Sequence, residues 1–156
     1  MVATSSSQSV DFKAHWAVCA LMLLLLLAYN VFCLLWADDI RWHLDEPKRV
    51  LLRSIAYALA IALFPLTNLL RHILLRLNQT MPGQKSASRR YLTTIIVAQL
   101  LLHGVASFGA LLYWLGDDRN TLFIFTGLGV LAVFLHKPKT AEYWAIVESL
   151  AAKSQQ

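Results

Sequence analysis

The sequence predicts an all-α integral membrane protein, a four-transmembrane-helix bundle followed by a short C-terminal amphipathic helix. Three observations carry this expectation. Hydrophobic residues make up 58% of the 156 residues and charged ones only 15%, far from the mix of a soluble domain. The apolar residues fall in four long runs, centred near Leu25, Ala60, Leu102 and Val130, and nearly all the charge lies between them. Aromatic residues bracket the runs, as they do at the two faces of a bilayer.

Residues 1–14 are Ser-rich and polar and are expected to form a disordered tail. Lys13 before an apolar stretch invites a signal-peptide reading. The stretch from residue 16 to 37 is longer than a signal's apolar core, however, and no small-residue cleavage site follows it, so it is read as a retained helix. The transmembrane domain then covers 15–137. Its first helix, 15–37, has Trp16 and Trp36 near its ends, a separation of about 30 Å along a helix, which matches the apolar thickness of a bilayer. Cys19 and Cys33 both lie in this helix. At about 1.5 Å per residue they are too far apart to bridge and are expected to be packing residues.

Residues 38–49 carry acids and bases around Trp42 and His43 and read as a polar loop, with Pro47 barring a helix through it. Helix two is placed at 50–77, and Pro65 predicts a kink because it removes a backbone hydrogen bond. Beyond Leu70, the residues Arg71, His72 and Arg76 alternate with Ile73, Leu74 and Leu77, the pattern of an amphipathic extension along the interface. Helix three, 91–115, is bracketed by Tyr91 and by Tyr113 with Trp114. Gly116, Asp117, Asp118, Arg119 and Asn120 make a tight turn into helix four, 121–136, which is short for a span. Pro138 opens the segment 138–156, where Thr140 is placed to cap a helix over 141–153. Tyr143, Ile146, Val147 and Leu150 share one face of it, which is expected to lie on the membrane surface or against the loop joining helices two and three.

Orientation follows from the basic residues near helix ends. With a cytoplasmic N-terminus, the inner segments hold Lys13, Arg71, Arg76, Lys85, Arg89, Arg90, Lys137, Lys139 and Lys153, against Arg41, Lys48, Arg49, Arg53 and Arg119 outside. The decisive stretch is 71–90, which is basic and has no acid, whereas most of the acids fall in the two outer loops. Both termini are therefore expected on the cytoplasmic side of a bacterial inner membrane. The sequon at Asn78, Gln79 and Thr80 then lies on the wrong side for glycosylation and is read as a chance match.

Polar groups at membrane depth are the candidate functional residues, because each is costly there. Arg53 lies one turn inside helix two and is expected to snorkel outward, towards Asp45 or Glu46. His103 lies near the middle of helix three, with Gln99 one turn before it and Ala106, Ser107 and Ala110 on the same side. That stripe suits close helix packing, with a neutral His103 bonded to a polar group on a neighbouring helix. Ser54, Ala58, Ala62, Pro65 and Asn68 offer a matching face on helix two, Asn30 joins Leu23, Leu26 and Cys33 on helix one, and helix four contributes Thr126, Gly127 and Gly129. The candidates are thus Arg53, Asn68, Gln99, His103 and Asn30 within the membrane, with Arg71, Arg76, Lys85, Arg89 and Arg90 as contacts for lipid or a partner.

Several chemistries are disfavoured by what the residues lack. Helix three is similar to the second helix of rotary-ATPase proteolipid subunits in setting a polar group among small residues. That family's function rests on a midplane carboxylate, and none stands between residues 91 and 115. No P-loop, dinucleotide fingerprint, Cys-x-x-Cys or His-Glu-x-x-His occurs. The net charge of +5 flanks apolar runs rather than forming a polar basic face, which points to anionic headgroups and not to nucleic acid. Haem held by two of His15, His72 and His136, all at the inner end, is a minor alternative to no cofactor. A metal between Asp38 with Asp39 and Asp117 with Asp118 ranks below solvated loop acids. The expectation is therefore a small multi-pass protein of non-enzymatic type: an accessory, assembly or partner-binding subunit that contacts lipid and other membrane proteins or copies of itself. The alternative is a small oligomeric transporter or channel, proton-coupled through His103.

Overall fold

The computed structural model describes residues 12–81 and 86–153, and only the backbone of 37–40. The order of elements is α1 (Lys13–Ile40), α2 (Glu46–Thr80), α3 (Ala87–Trp114), α4 (Arg119–Leu135) and α5 (Thr140–Lys153), with no strand among the described residues. Three of the helices, α1, α2 and α3, are long and apolar enough to cross a membrane. The pair α4 and α5, bent by 44° at the break between them, meets the same test when taken together.

Each helix outruns its apolar core, because polar flanks carry on the backbone hydrogen bonding wherever no breaker intervenes. The expected loop over 38–49 shrinks to 41–45, since α1 continues to Ile40 and α2 starts at Glu46. Pro47 does not bar α2. It occupies the first turn, where its missing N–H is no loss, and Glu46 beside it complements the positive helix end. Pro65 is likewise accommodated inside one continuous helix. At about 1.5 Å per residue, the 35 residues of α2 reach about 52 Å, well beyond a hydrocarbon core of about 30 Å.

α3 ends in a left-handed glycine: Gly116 has φ +97°, its N–H donates to the Tyr113 carbonyl, and Asp117 N–H donates to the Leu112 carbonyl. This pair of bonds is the Schellman pattern and reverses the chain in two residues. α4 then starts from Asp118, whose carboxylate accepts the Thr121 N–H at 3.0 Å. α5 begins at Thr140 itself, so that residue is inside the helix and not ahead of it.

α3 is the centre of the bundle and touches every other helix. In its most apolar stretch 44% of the residues are buried, against 28% in α1 and 17% in α2. α1 and α4 lie together on α3, with Gly129 bringing α4 within reach of Ala106 and Leu26. Phe125 of α4, stacked on Tyr57 of α2 at 5.1 Å, closes the core formed with Ala56, Ala60, Val105 and Leu112.

The face that α2 turns inward differs from the one expected. Ala56, Ala60, Thr67 and Arg71 are buried, whereas Ser54, Ala58, Ala62, Pro65 and Asn68 are all exposed. The bulky Tyr57 and Phe64 set this rotation: they pack into the core beside Ala56 and Ala60, and the small stripe is carried to the outside. The expected tail also ends early, because Phe12 packs its ring against His15, Tyr91 and Tyr143. Residues 1–11 of that tail lie outside the described residues.

α5 uses the face expected of it, laid not on a surface but against α2 and α3 beside the segment that joins them, with Lys153 donating to the Thr80 carbonyl and Ala87 next to the buried Ile146. Ile146 is fully buried with Tyr91 and Ile95, and Leu150 and Tyr143 pack around them. The helix thereby plugs one end of the bundle against α2 and α3.

Candidate functional site

Charged side chains gather at the two ends of the bundle, and the interior between them holds apolar and small residues with a few polar ones, Asn30, Gln99, His103 and Thr126. At one end the α3–α4 turn collects three arginines. Arg41 donates to the carbonyls of Tyr113, at 3.2 Å, and of Asp117, and its guanidinium lies 4.2 Å from the Tyr113 ring centroid. Arg49 donates to the Gly116 carbonyl at 3.1 Å. Asp117, only 1% exposed, lies 3.9 Å from Arg49 and 3.5 Å from Arg53.

Arg53 therefore turns away from Asp45 and Glu46 and pairs with Asp117 and, at 3.5 Å, with Asp118. Asp45 is taken by Lys48 at 3.1 Å. The reason is geometric: the loop 41–45 lies across the end of α3, with Trp42 N–H on the Trp114 carbonyl at 2.9 Å, and that brings the start of α2 over the turn. Thr121 N–H, followed by the Thr121 hydroxyl and Arg53, holds the Asp118 carboxyl below the ordinary carboxylate range. The paired acids that suggested a metal are thus matched by arginines on one side, while the side chains of Asp38 and Asp39 lie outside the described residues.

At the opposite end, Arg71 of α2 donates to Glu142 of α5 at 2.7 Å and to the Lys137 carbonyl at 3.3 Å. Tyr91 of α3 joins them: its hydroxyl accepts the Lys139 N–H at 2.7 Å and donates to Glu142 at 2.9 Å. His15 is fully buried beside these groups, its ring 5.3 Å from that of Tyr91. His136 is buried with Nδ1 at 3.1 Å from the Ala132 carbonyl, and His72 is exposed on α2.

The basic segment divides in two. Arg71 and Arg90 point inward, Arg90 bonding the carbonyls of Asn78 at 3.2 Å and Met81 at 2.8 Å. Arg76 and Arg89 are exposed, and Lys85 lies outside the described residues. Asn78, the asparagine of the sequon, has its amide engaged with Thr94 at 2.8 Å and with the Arg90 carbonyl at 3.1 Å.

Within the bundle Asn30 is buried, donates to the Leu26 carbonyl at 2.7 Å and lies 2.9 Å from the Thr126 hydroxyl, which links α1 to α4. Gln99 is also buried, but its amide turns to the Val133 carbonyl at 3.4 Å and to the Cys19 sulfur at 3.6 Å, not to His103. His103 is half-buried at the α1–α3 seam. Its neighbour there is the Tyr29 ring, edge-on at 5.8 Å, and its Nδ1 has no hydrogen-bond partner among the described residues. At Nδ1 the polar bond expected for His103 is not found among the described residues, and the buried Tyr29 hydroxyl likewise has no partner among them.

A groove of about 640 Å³ opens between α2 and the α4–α5 break, bordered by Asn68, Arg71, His72, His136, Lys139 and Glu142. Its rim combines basic, acidic and amide side chains. Sequence reasoning passed over Glu142, Tyr91 and Lys139. Glu142 carried a signal nonetheless, as an acid placed among the basic inner segments and facing a stretch, 71–90, that has none. No three His, Cys, Asp or Glu side chains among the described residues converge as a metal site. The chain matches no family model, no curated protein and no solved structure.

Proposed function

We infer that the chain is a non-catalytic subunit of a membrane, a four-span bundle with both termini on the cytoplasmic side, that binds laterally to another membrane protein or to a second copy of itself. The observation that carries this reading is α2. Its apolar stretch is only 17% buried, and it presents the outward stripe of Ser54, Ala58 and Ala62 beside large exposed residues such as Leu51, Ile55, Leu59 and Ile61. In lipid, helices associate through small residues that allow close approach, so this face is suited to a partner helix.

The charged groups support a structural use. Arg53 with Asp117 ties α2 to the α3–α4 turn, and Arg71 with Glu142 ties α2 to α5, which fixes the bundle ends and leaves few ionisable groups at depth. The excess of bases in 71–90 supports a cytoplasmic position for that end, against anionic headgroups. Four spans follow if α4 crosses with help from the start of α5.

Orientation is tested with single cysteines at Ser86 and Asn120, which react with an impermeant reagent from opposite sides; labelling of both from one side removes the four-span topology. The lateral role is tested by extracting tagged protein from its native membrane in polymer nanodiscs and measuring particle mass, for wild type and for Ala58→Trp with Ala62→Trp. The expected result is a defined assembly that the variant loses. A single monomeric chain in both samples overturns the reading.

A further inference from the structure

We propose that the groove between α2 and the α4–α5 break holds one anionic phospholipid, its phosphate beside Arg71 and the start of an acyl chain along Phe64, Leu69 and Leu135. The proposal rests on the membrane reading above and gives it a specific ligand class.

Arg71 supplies the first argument. It is 4% exposed and borders the groove. Its Nη2 serves Glu142 and the Lys137 carbonyl, but Nε and Nη1 have no acceptor among the described residues. Buried donors left unpaired are costly, and a phosphate oxygen accepting a charge-assisted bond from Nε or from Nη1 would satisfy one of them beside the engaged Nη2. Lys139 stands exposed on the same rim, and Asn68 and His72 add polar groups from α2. Glu142 is the carboxylate of the lining, and it is already matched by Arg71, Tyr91 and Lys139. With its charge set against Arg71, Lys139 remains as a surplus positive charge.

The second argument is how the walls change along their length. α2 lines the groove with Phe64, Pro65, Asn68 and Leu69 and then with Arg71, His72 and Leu75, while Leu135 ends α4 and His136 follows it. Both walls thus go from mainly apolar to mainly polar, as a bilayer passes from acyl chain to headgroup. The groove volume, about 640 Å³, lies within the range of small-ligand sites. A free phosphate ion would engage the Arg71 end and leave the apolar wall without a role, which is why a lipid is the occupant proposed.

The test uses the full-length protein, stripped of lipid in detergent and reloaded with short-chain phosphatidylglycerol, phosphatidylcholine or inorganic phosphate, with bound molecules counted by native mass spectrometry. One phosphatidylglycerol is expected to persist under activation that removes phosphatidylcholine. Lys139→Gln combined with Asn68→Asp alters two exposed positions of the groove and lowers that occupancy about tenfold, with the thermal midpoint unchanged. Arg89→Gln, an exposed base away from the groove, leaves it intact. Equal retention of the two lipids, or equal losses in the two variants, overturns the site in favour of diffuse charge attraction. Displacement of phosphatidylglycerol by millimolar inorganic phosphate overturns the lipid assignment. Occupancy in detergent is independent of sidedness and of lateral assembly, so its outcome is separable from that of the labelling and nanodisc experiments.

Discussion

Arg71 of α2 and Glu142 of α5 stand 71 positions apart in sequence and 2.7 Å apart in space. The guanidinium side chain is 5% exposed and the carboxylate 21%, so this pair is more than a surface contact. Removing one partner leaves the other charge buried, at a cost of about 3 kcal/mol. Glu142→Gln is therefore expected to lower the thermal midpoint in detergent and to open the α4–α5 break to protease. The double replacement Arg71→Leu with Glu142→Leu loses less than the sum of the single changes, and strict additivity would show that the two side chains are uncoupled.

Acidification acts on the other end of the bundle, through Asp118. Its folded carboxyl titrates below the ordinary value of 3.8 because Thr121 N–H donates to the charged form. A depressed folded value means that the cap stabilises fully above the unfolded value and is lost as pH falls through the folded one. Asp118→Ala is expected to cost about 1 kcal/mol near neutrality. The gap between wild type and variant closes below about pH 4; a gap that stays constant down to pH 2 would contradict the role of the charged cap.

Glycines separate into two kinds. A Cβ at Gly129 would meet the Ala106 side chain at 2.6 Å, and one at Gly109 would meet Phe125 at 2.7 Å, whereas Gly104 and Gly127 have nothing within 4 Å. Gly129→Ala and Gly109→Ala are expected to destabilise by about 1–3 kcal/mol. Gly104→Ala and Gly127→Ala stay within about 0.5 kcal/mol of wild type. At Gly116 both problems coincide, since φ is +97° and the Trp42 carbonyl would lie 2.6 Å from an added Cβ, so Gly116→Ala is expected to be the worst of the five in a chemical-denaturation series.

For His103 the expectation is mildness. It meets the edge of Tyr29, and its buried Nδ1 has no partner among the described residues, so His103→Leu removes an unsatisfied polar atom. The variant should match or exceed wild-type stability, and proteoliposomes carrying either protein should collapse an imposed pH gradient at the same rate. A slower collapse with His103→Leu, the fold being intact, would assign the imidazole a role in proton movement.

The number and rough extent of the helices were legible because apolar run length and aromatic brackets are local signals. What each helix faces was not. The stripe Ser54, Ala58 and Ala62 looks like a packing seam at 3.6 residues per turn, but Ala56 and Ala60 make an equally small face on the same helix, and the choice between them is made by Tyr57 and Phe64 reaching Phe125. Arg53 likewise has acids nearby in sequence, at 45 and 46, and acids nearby in space, at 117 and 118; only the fold of the 41–45 loop decides between them. Asn30 was singled out by position, yet its link to Thr126 requires knowing that α1 and α4 are neighbours. Buried ion pairs between distant segments leave no periodicity, so Arg71 with Glu142 was visible only as an acid, one of two on the last helix, opposite a basic stretch.

The position of α5 bears on how the chain matures. Arg71, Tyr91 and His15 belong to helices made early, but Glu142, Tyr143 and Ile146, which satisfy or cover them, lie on α5. Until α5 has left the ribosome, the nascent chain carries an unmatched guanidinium and an open aromatic nest at one rim. α5 is thus a keystone, and a chain halted at residue 135 presents to quality control the signature of an unfinished protein.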